Sequence, residues 1–197
     1  MFEHLKNREV GVLGNELYKE FAVIVPYLED KDSFLFEIRA STLRNQPNEI
    51  CFPGGKIENQ ETPLVAALRE IEEELLIDRN NVDVIASLDI YTFPYSLRVY
   101  PFLAKLKEYP VTFQKDEVAD IFDVPFRFFL ENEPKIYYND IKIEPDSKFP
   151  YELIGMDSYP WRHAKYPVLF YKYQNKVIWG MTAHFVYNVV TLYKENK

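Results

Sequence analysis

A single cysteine, Cys51, stands in 197 residues, so no intramolecular disulfide framework can form and a reducing, cytoplasmic setting is expected. Glycine is scarce at six and histidine at three; His4, His163 and His184 show no metal-ligand spacing and read as structural. Positive charge is in deficit, with 23 Lys+Arg against 31 Asp+Glu and a net charge of −8. That balance repels a phosphate backbone and argues against a nucleic-acid partner. Long apolar runs are missing as well: the longest, at residues 21–28, is broken by Pro26, so no membrane span is expected. The N-terminal M-F-E-H-L-K-N-R-E-V has acids and no apolar centre, unlike a signal peptide. Repeats, low-complexity tracts and Gly/Ser linkers are absent too. What remains, a chain 47% hydrophobic, suffices for one domain over 1–197, with its core at about 21–186 and a short N-terminal lead-in.

Residues 2–18 read as a short amphipathic helix or a lead-in. F-A-V-I-V-P (21–26) and S-F-L-F-E-I-R (33–39) are rich in strand formers, with E-D-K-D between them as a turn, so a hairpin is expected. Pro47, Asn48 and P-G-G make 40–55 irregular. Strands are expected at 82–91 and 97–106, a loop or short turn at 116–125, and a helix at 126–130. A second hairpin pairs 167–173 with 177–180, and a last helix covers 182–193. Strands on both sides of a central helix point to an α/β layered domain around a mixed sheet.

That central helix is predicted to begin at Thr62, a good N-cap, with Pro63 at the first helical position. Its acids pose an electrostatic question. Glu70, Glu73 and Glu74 share one face, the stripe Leu64, Ala67, Leu68, Ile71 and Leu75 takes another, and Glu72 faces solvent. A solvated charged face is the plain reading of an acidic helix. Here, however, the acids lack lysine at i±4, lie toward the helix C-terminus where the macrodipole disfavours them, and come after a Gly-Gly turn that admits close backbone approach. A hard divalent cation answers all three features, since Mg²⁺ takes carboxylate oxygens and completes its shell with water and phosphate.

Residues 55–77, G-K-I-E-N-Q-E-T-P-L-V-A-A-L-R-E-I-E-E-E-L-L-I, resemble the Nudix box, G-x5-E-x7-R-E-U-x-E-E-x-G-U with U apolar. Gly55, Glu61, Arg69, Glu70, Ile71, Glu73, Glu74 and Ile77 match at the required spacing; only the last glycine departs, as Leu76. The resemblance implies an α/β/α sandwich around a mixed sheet and Mg²⁺- or Mn²⁺-dependent hydrolysis of a nucleoside diphosphate derivative. It makes Glu70, Glu74 and the Gly55 carbonyl metal ligands, Glu73 a further ligand or the base that orients water, and Arg69 and Glu61 a structural pair beside Gly54. Leucine is a good helix former, so the helix is expected to run through 76–79 and end near Asn80 or Asn81.

Upstream, L-F-E-I-R-A-S-T-L-R-N-Q-P-N-E-I-C-F-P-G-G (35–55) resembles a second motif, L-L-T-x-R-[SA]-x3-R-x3-G-x3-F-P-G-G, of the coenzyme A diphosphatase branch. Leu35, Arg39, Ala40, Arg44 and residues 52–55 match, while Phe36, Glu37 and Asn48 depart from Leu, Thr and Gly. Asn48 tolerates positive φ and keeps the turn. Coenzyme A carries a pyrophosphate and a 3′-phosphate, and the guanidinium fork suits phosphate oxygens, which makes Arg39 and Arg44 the phosphate candidates; each equally reads as a loop-bracing arginine. Residues 22–26, 117–125 and 178–183 resemble the same branch. Glu117 is a loop carboxylate that either assists the attacking water or is simply solvated. Trp179 and Gly180 read as strand-end packing, Cys51 as a small loop or core residue, and the tyrosines of 137–173 as mostly core and hairpin. Coenzyme A is therefore the first expected substrate, with ADP-ribose, NADH or a dinucleoside polyphosphate second and a non-catalytic nucleotide sensor third. A homodimer is left open.

Overall fold

The computed structural model describes residues 2–58, 60–94, 96–107 and 109–195. The first hairpin forms as expected from β1 (Lys19–Leu28) and β2 (Ser33–Arg39), joined by a 3-10 turn at Glu29–Lys31 with Asp32 at φ 47°. Its strands pair only at Tyr27–Phe34 and Leu28–Ser33 and then splay apart. The F-P-G-G turn fills the gap. Ile50–Cys51 pairs with β2 as β3, and Gly54–Lys56 pairs with Phe21, Ala22 and Val23 of β1 as β4. Ile24 N–H also donates to the Pro53 carbonyl at 2.9 Å. The stretch expected to be irregular thus holds two short strands, because buried backbone groups must find partners wherever the fold offers them.

On its other side β1 runs parallel to β7 (Leu97–Leu106) along its whole length. Two strands, β5 (Val82–Ser87) and β6 (Tyr91–Phe93), replace the single one expected over 82–91, and both pair antiparallel with β7. The expected loop at 116–125 is instead β8 (Val118–Pro125), antiparallel to β2. Asp120 and Asp123 weaken its strand propensity, but at the sheet edge such acids reach water and the pairing with β2 prevails.

Alternation along the central strands divides the core in two. Ala22, Ile24, Leu35, Phe102 and Ala104 face α1 (Pro63–Leu75), which buries Ala67, Ile71 and Leu75 against them. Val23, Val25, Phe34, Phe36 and Val99 face α2 (Phe126–Glu131) and α3 (Gly180–Glu195). This is the expected α/β/α layering around a mixed sheet. A three-stranded sheet, ordered β11 (Lys176–Trp179), β10 (Ala164–Tyr173), β9 (Lys135–Ile141), adds the predicted second hairpin and one strand, β9, that was not predicted. Tyr171 is buried, but Tyr137 and Tyr138 on β9 are about 60% exposed, contrary to the core expected there. Residues 2–18 hold only two 3-10 turns, Glu3–Leu5 and Asn15–Leu17.

Candidate active site

Helix α1 starts where the sequence indicates. Thr62 Oγ1 accepts from Val65 N–H at 3.3 Å, and Pro63 occupies the first turn. It does not end where propensity indicates. Leu76 takes the left-handed conformation, φ 54° and ψ 34°, and the helix stops at Leu75. Tertiary contacts claim the last carbonyls of the helix and the segment beyond them. Thr112 Oγ1 donates to the Leu75 carbonyl at 3.1 Å, Gln114 N–H donates to the Glu74 carbonyl at 2.8 Å, and Ile77 is buried beside α1. Asp78 then caps a 3-10 turn at Arg79–Asn81. Glu72, expected to face only solvent, accepts from the Arg79 guanidinium at 2.7 and 3.1 Å and from Arg79 N–H at 3.1 Å.

The three acids of the shared face differ sharply in environment. Glu74 is 3% exposed and its Oε2 accepts from Gly54 N–H at 2.8 Å. Burial, reinforced by the charge of Glu37, pushes its carboxyl well above the usual range, against the opposing Gly54 amide. Glu70 is partly buried, and a Cβ on Gly55 would overlap its carboxylate, so only glycine permits this approach. Burial raises the Glu70 carboxyl too, while Arg69 opposes the shift. Glu73 is the exposed member. Gly54 is the more rigidly constrained of the two: a Cβ there would lie 2.5 Å from the Ala22 backbone carbonyl and from Val23 Cγ1.

Arg69 ties the motif together. Its Nε and Nη2 donate to the Glu61 carboxylate at 3.0 and 3.3 Å, and Nη2 reaches the Lys56 carbonyl at 3.2 Å. Nη1 donates to Glu70 Oε1 at 2.8 Å and to Glu73 Oε2 at 3.3 Å. These bonds raise the Arg69 pKa and lower that of Glu61.

Gly54 and Gly55 form part of the wall of a cavity of about 590 Å³ that Arg39 and Arg44 also line, together with Phe21 and Phe185. The loop that carries Arg44 folds back on β2: Arg39 N–H donates to the Glu49 carbonyl, Arg39 Nε to the Asn45 carbonyl, and Asn48 N–H to the Arg39 carbonyl. Asn48 holds φ 62°, as expected of a residue standing for glycine. Glu117 is exposed just before β8, its carbonyl accepts from Ala40 N–H at 2.8 Å, and its charge acts on Glu37 and Glu70. Thus the structure brings Gly54, Gly55, Glu61, Arg69, Glu70, Glu73 and Glu74 into one contact network. Arg39 and Arg44 line its adjoining cavity, and Glu117 stands within its electrostatic reach.

The family model for the NUDIX domain matches residues 19–142, a span that takes in this whole network. The chain belongs to the Nudix family. Among curated relatives, this Nudix chain is 34% identical over 139 residues to the peroxisomal coenzyme A diphosphatase NUDT7 of Mus musculus, covering 68% of this chain and 58% of that protein. It is 30% identical over 185 residues to the chloroplastic Nudix hydrolase 22 of Arabidopsis thaliana, covering 88% of this chain and 55% of that protein. The chain thus spans a little over half the length of these relatives. Among solved structures, DR0079 from Deinococcus radiodurans superposes with a TM-score of 0.50 at 15% identity over 58% of this chain and 72% of that one, a likeness of fold.

One buried acid within electrostatic reach of this Nudix site was not singled out from the sequence. Glu37 on β2 is 1% exposed and accepts from Cys51 Sγ at 3.2 Å. Burial drives its carboxyl upward, against the Cys51 hydrogen bond and the charge of Arg39. Its signal was present: Glu37 lies two positions after Leu35, on the strand face that α1 covers. Cys51 is itself pushed up by burial and by Glu37, in keeping with a non-nucleophilic role. His184 packs between Tyr91 and Tyr166, a structural place as expected. Glu70, Glu74 and the Gly55 backbone offer hard oxygen donors at a turn where the missing Cβ of Gly55 lets the Glu70 carboxylate close in, which suits a divalent cation. As they stand, Glu70 and Glu73 turn to Arg69 and Glu74 to Gly54. No three acid, histidine or cysteine side chains among the described residues are already grouped to hold an ion.

Proposed function

We propose that this chain is a divalent-metal-dependent pyrophosphatase that cleaves coenzyme A to 3′,5′-ADP and 4′-phosphopantetheine, and acyl-coenzyme A in the same manner to 3′,5′-ADP and the acyl-4′-phosphopantetheine. One observation carries the reading: Glu70 and Glu74 lie against the Gly54–Gly55 turn, and the same turn walls a cavity lined by Arg39 and Arg44. The similarity over 139 residues to a protein named a coenzyme A diphosphatase supports the substrate choice.

Glu70, Glu74 and the Gly55 carbonyl would hold Mg²⁺ or Mn²⁺, with Glu73 as a further ligand or as the base. When bound, the cation neutralises charge on the bridging phosphates and acidifies a water for in-line attack. Arg39 and Arg44 grip phosphate oxygens through their planar forks. Glu73, the exposed acid, accepts a proton from the attacking water, and Glu117 is the second carboxylate available for that task. Arg69 positions the machinery by clamping Glu61 and the Lys56 carbonyl to the helix. The apolar wall at Phe21 and Phe185 packs the uncharged arm of the substrate and excludes water. The free Cys51 thiol suits a reducing compartment such as the cytoplasm, and no helix among the described residues is long and apolar enough to cross a membrane.

The test is a turnover panel with Mg²⁺ or Mn²⁺ against coenzyme A, ADP-ribose and NADH, with products separated by chromatography. Coenzyme A should give the highest kcat/KM and release 3′,5′-ADP. Faster cleavage of ADP-ribose or NADH would reassign the substrate. Nucleotide binding without turnover would replace the enzyme with a sensor.

A further inference from the structure

Glu37 stands where the resembled motif has threonine, and neither phosphate binding nor water activation calls on it. It lies on β2 between apolar neighbours that are themselves buried or nearly so. Side chains two apart on a strand share a face, so Glu37 points with Leu35 into the layer between the sheet and α1. Its Oε1 accepts the thiol of Cys51, a weak donor. Its Oε2 has no hydrogen-bond partner among the described residues. An orphaned carboxylate oxygen at 1% exposure is costly to keep unless a cation or a proton meets it.

The groups around it show what it faces. Arg39, Glu117 and Glu70 act on Glu37, and Glu37 is the strongest charged neighbour of Glu74. Tyr109, from the loop after β7, also feels its charge. A purely structural acid would have both oxygens satisfied, whereas this one keeps an unpartnered oxygen within electrostatic reach of two acids assigned to a cation. We propose that Glu37 is an additional carboxylate of the divalent-cation site, presented from the sheet beneath α1 while Glu70 and Glu74 approach from the helix. This assignment rests on Glu70 and Glu74 holding a cation. Glu37 replaces a water in an all-oxygen shell and adds negative charge where threonine adds none, which tightens cation binding.

The experiment is titration of metal-free protein with Mn²⁺, monitored by loss of the free-ion EPR signal. It compares the unmodified chain with Glu37→Gln, Glu37→Thr, Glu37→Asp and Glu74→Gln. Both uncharged Glu37 variants should keep or raise the metal-free Tm, because a buried charge is removed, and should bind Mn²⁺ at least tenfold more weakly. Glu37→Asp should recover part of the affinity. A merely structural Glu37 would instead lower the metal-free Tm and leave the Mn²⁺ constant within twofold, which overturns the proposal. If Glu74→Gln loses Mn²⁺ while the Glu37 variants keep it, the Glu37 assignment alone falls. If all variants bind as the unmodified chain does, the assignment of Glu70 and Glu74 to a cation falls with it.

Discussion

Leu76 occupies a backbone region that costs a Cβ-bearing residue about 1–2 kcal/mol, and its side chain is 53% exposed, so it recovers little by packing. Leu76→Gly should remove that strain, offset in part by the larger entropy of glycine in the unfolded chain. The net expectation is a stabilisation of about 0.5–1 kcal/mol and a Tm about 1–4 °C higher, measured by thermal denaturation. A lower Tm would mean that the leucine side chain contributes more than its backbone costs. Glu74 and Glu73 test the chemistry in the same single-residue way. Glu74→Gln and Glu73→Gln keep the shape and remove the charge. The charge stabilisation at stake is several kcal/mol, so kcat should fall by about two orders of magnitude or more while the fold survives. Glu72→Gln is the control. Glu72 faces Arg79 and not the Gly54–Gly55 turn, so its loss should leave kcat unchanged and loosen only the turn after α1. Undiminished turnover in both Glu73 and Glu74 variants would end the carboxylate mechanism.

At the level of elements, the splay between β1 and β2 matters most, because it admits the F-P-G-G turn and opens the cavity that Arg39 and Arg44 line. Arg39 ends β2 and Arg44 sits on the loop folded back over it, so the two guanidinium groups come from one continuous segment. A charge-assisted hydrogen bond contributes about 1.5–3 kcal/mol, or roughly ten- to a hundredfold in affinity. Coenzyme A should therefore be preferred over dephospho-coenzyme A by about that factor in kcat/KM, and Arg39→Ala or Arg44→Ala should erode the ratio more than the turnover. Equal kcat/KM for the two substrates would remove the 3′-phosphate contact. Elements whose signals are local were legible from the sequence: the Thr62–Pro63 helix start, the first hairpin, and β7 with its bounds. Elements decided by partners were not. β8 carries acids that only an edge position tolerates, β9 is a mostly exposed strand made by pairing with β10, and α1 stops at Leu75 because Thr112 and Gln114 take its last carbonyls.

For the molecule as a whole, the candidate site combines two deeply buried carboxyls, Glu37 and Glu74, with the partly buried Glu70 and the exposed Glu73. The motif spacing made Glu70, Glu73 and Glu74 legible as a set, but not how deep each would sit, since depth is fixed by where β2, β4 and α1 close on one another. That closure brings Glu37 within electrostatic reach of Glu74 and has a consequence for global stability. Burial raises both carboxyls above their ordinary value, Glu37 to about 7 and Glu74 further. A carboxyl whose folded pKa is raised binds more protons in the folded state than in the unfolded one, so stability is greatest at low pH and falls as pH rises toward the folded value. His184 adds the opposite slope at lower pH: burial holds its pKa below the ordinary 6.5, so the unfolded chain takes up its proton first as the solution is acidified. The window in which the acid pair dominates is therefore about pH 6.5–8.5. Across it, the Tm of metal-free protein should fall. Saturating Mg²⁺ binds only the folded, ionised site and should restore the lost stability at the alkaline end, by about 2.7 kcal/mol at a hundred times its Kd. Glu74→Gln should flatten the metal-free slope and abolish the Mg²⁺ effect. A metal-free Tm that stays level or rises from pH 6.5 to 8.5 would show that the buried pair does not hold a proton in the folded protein.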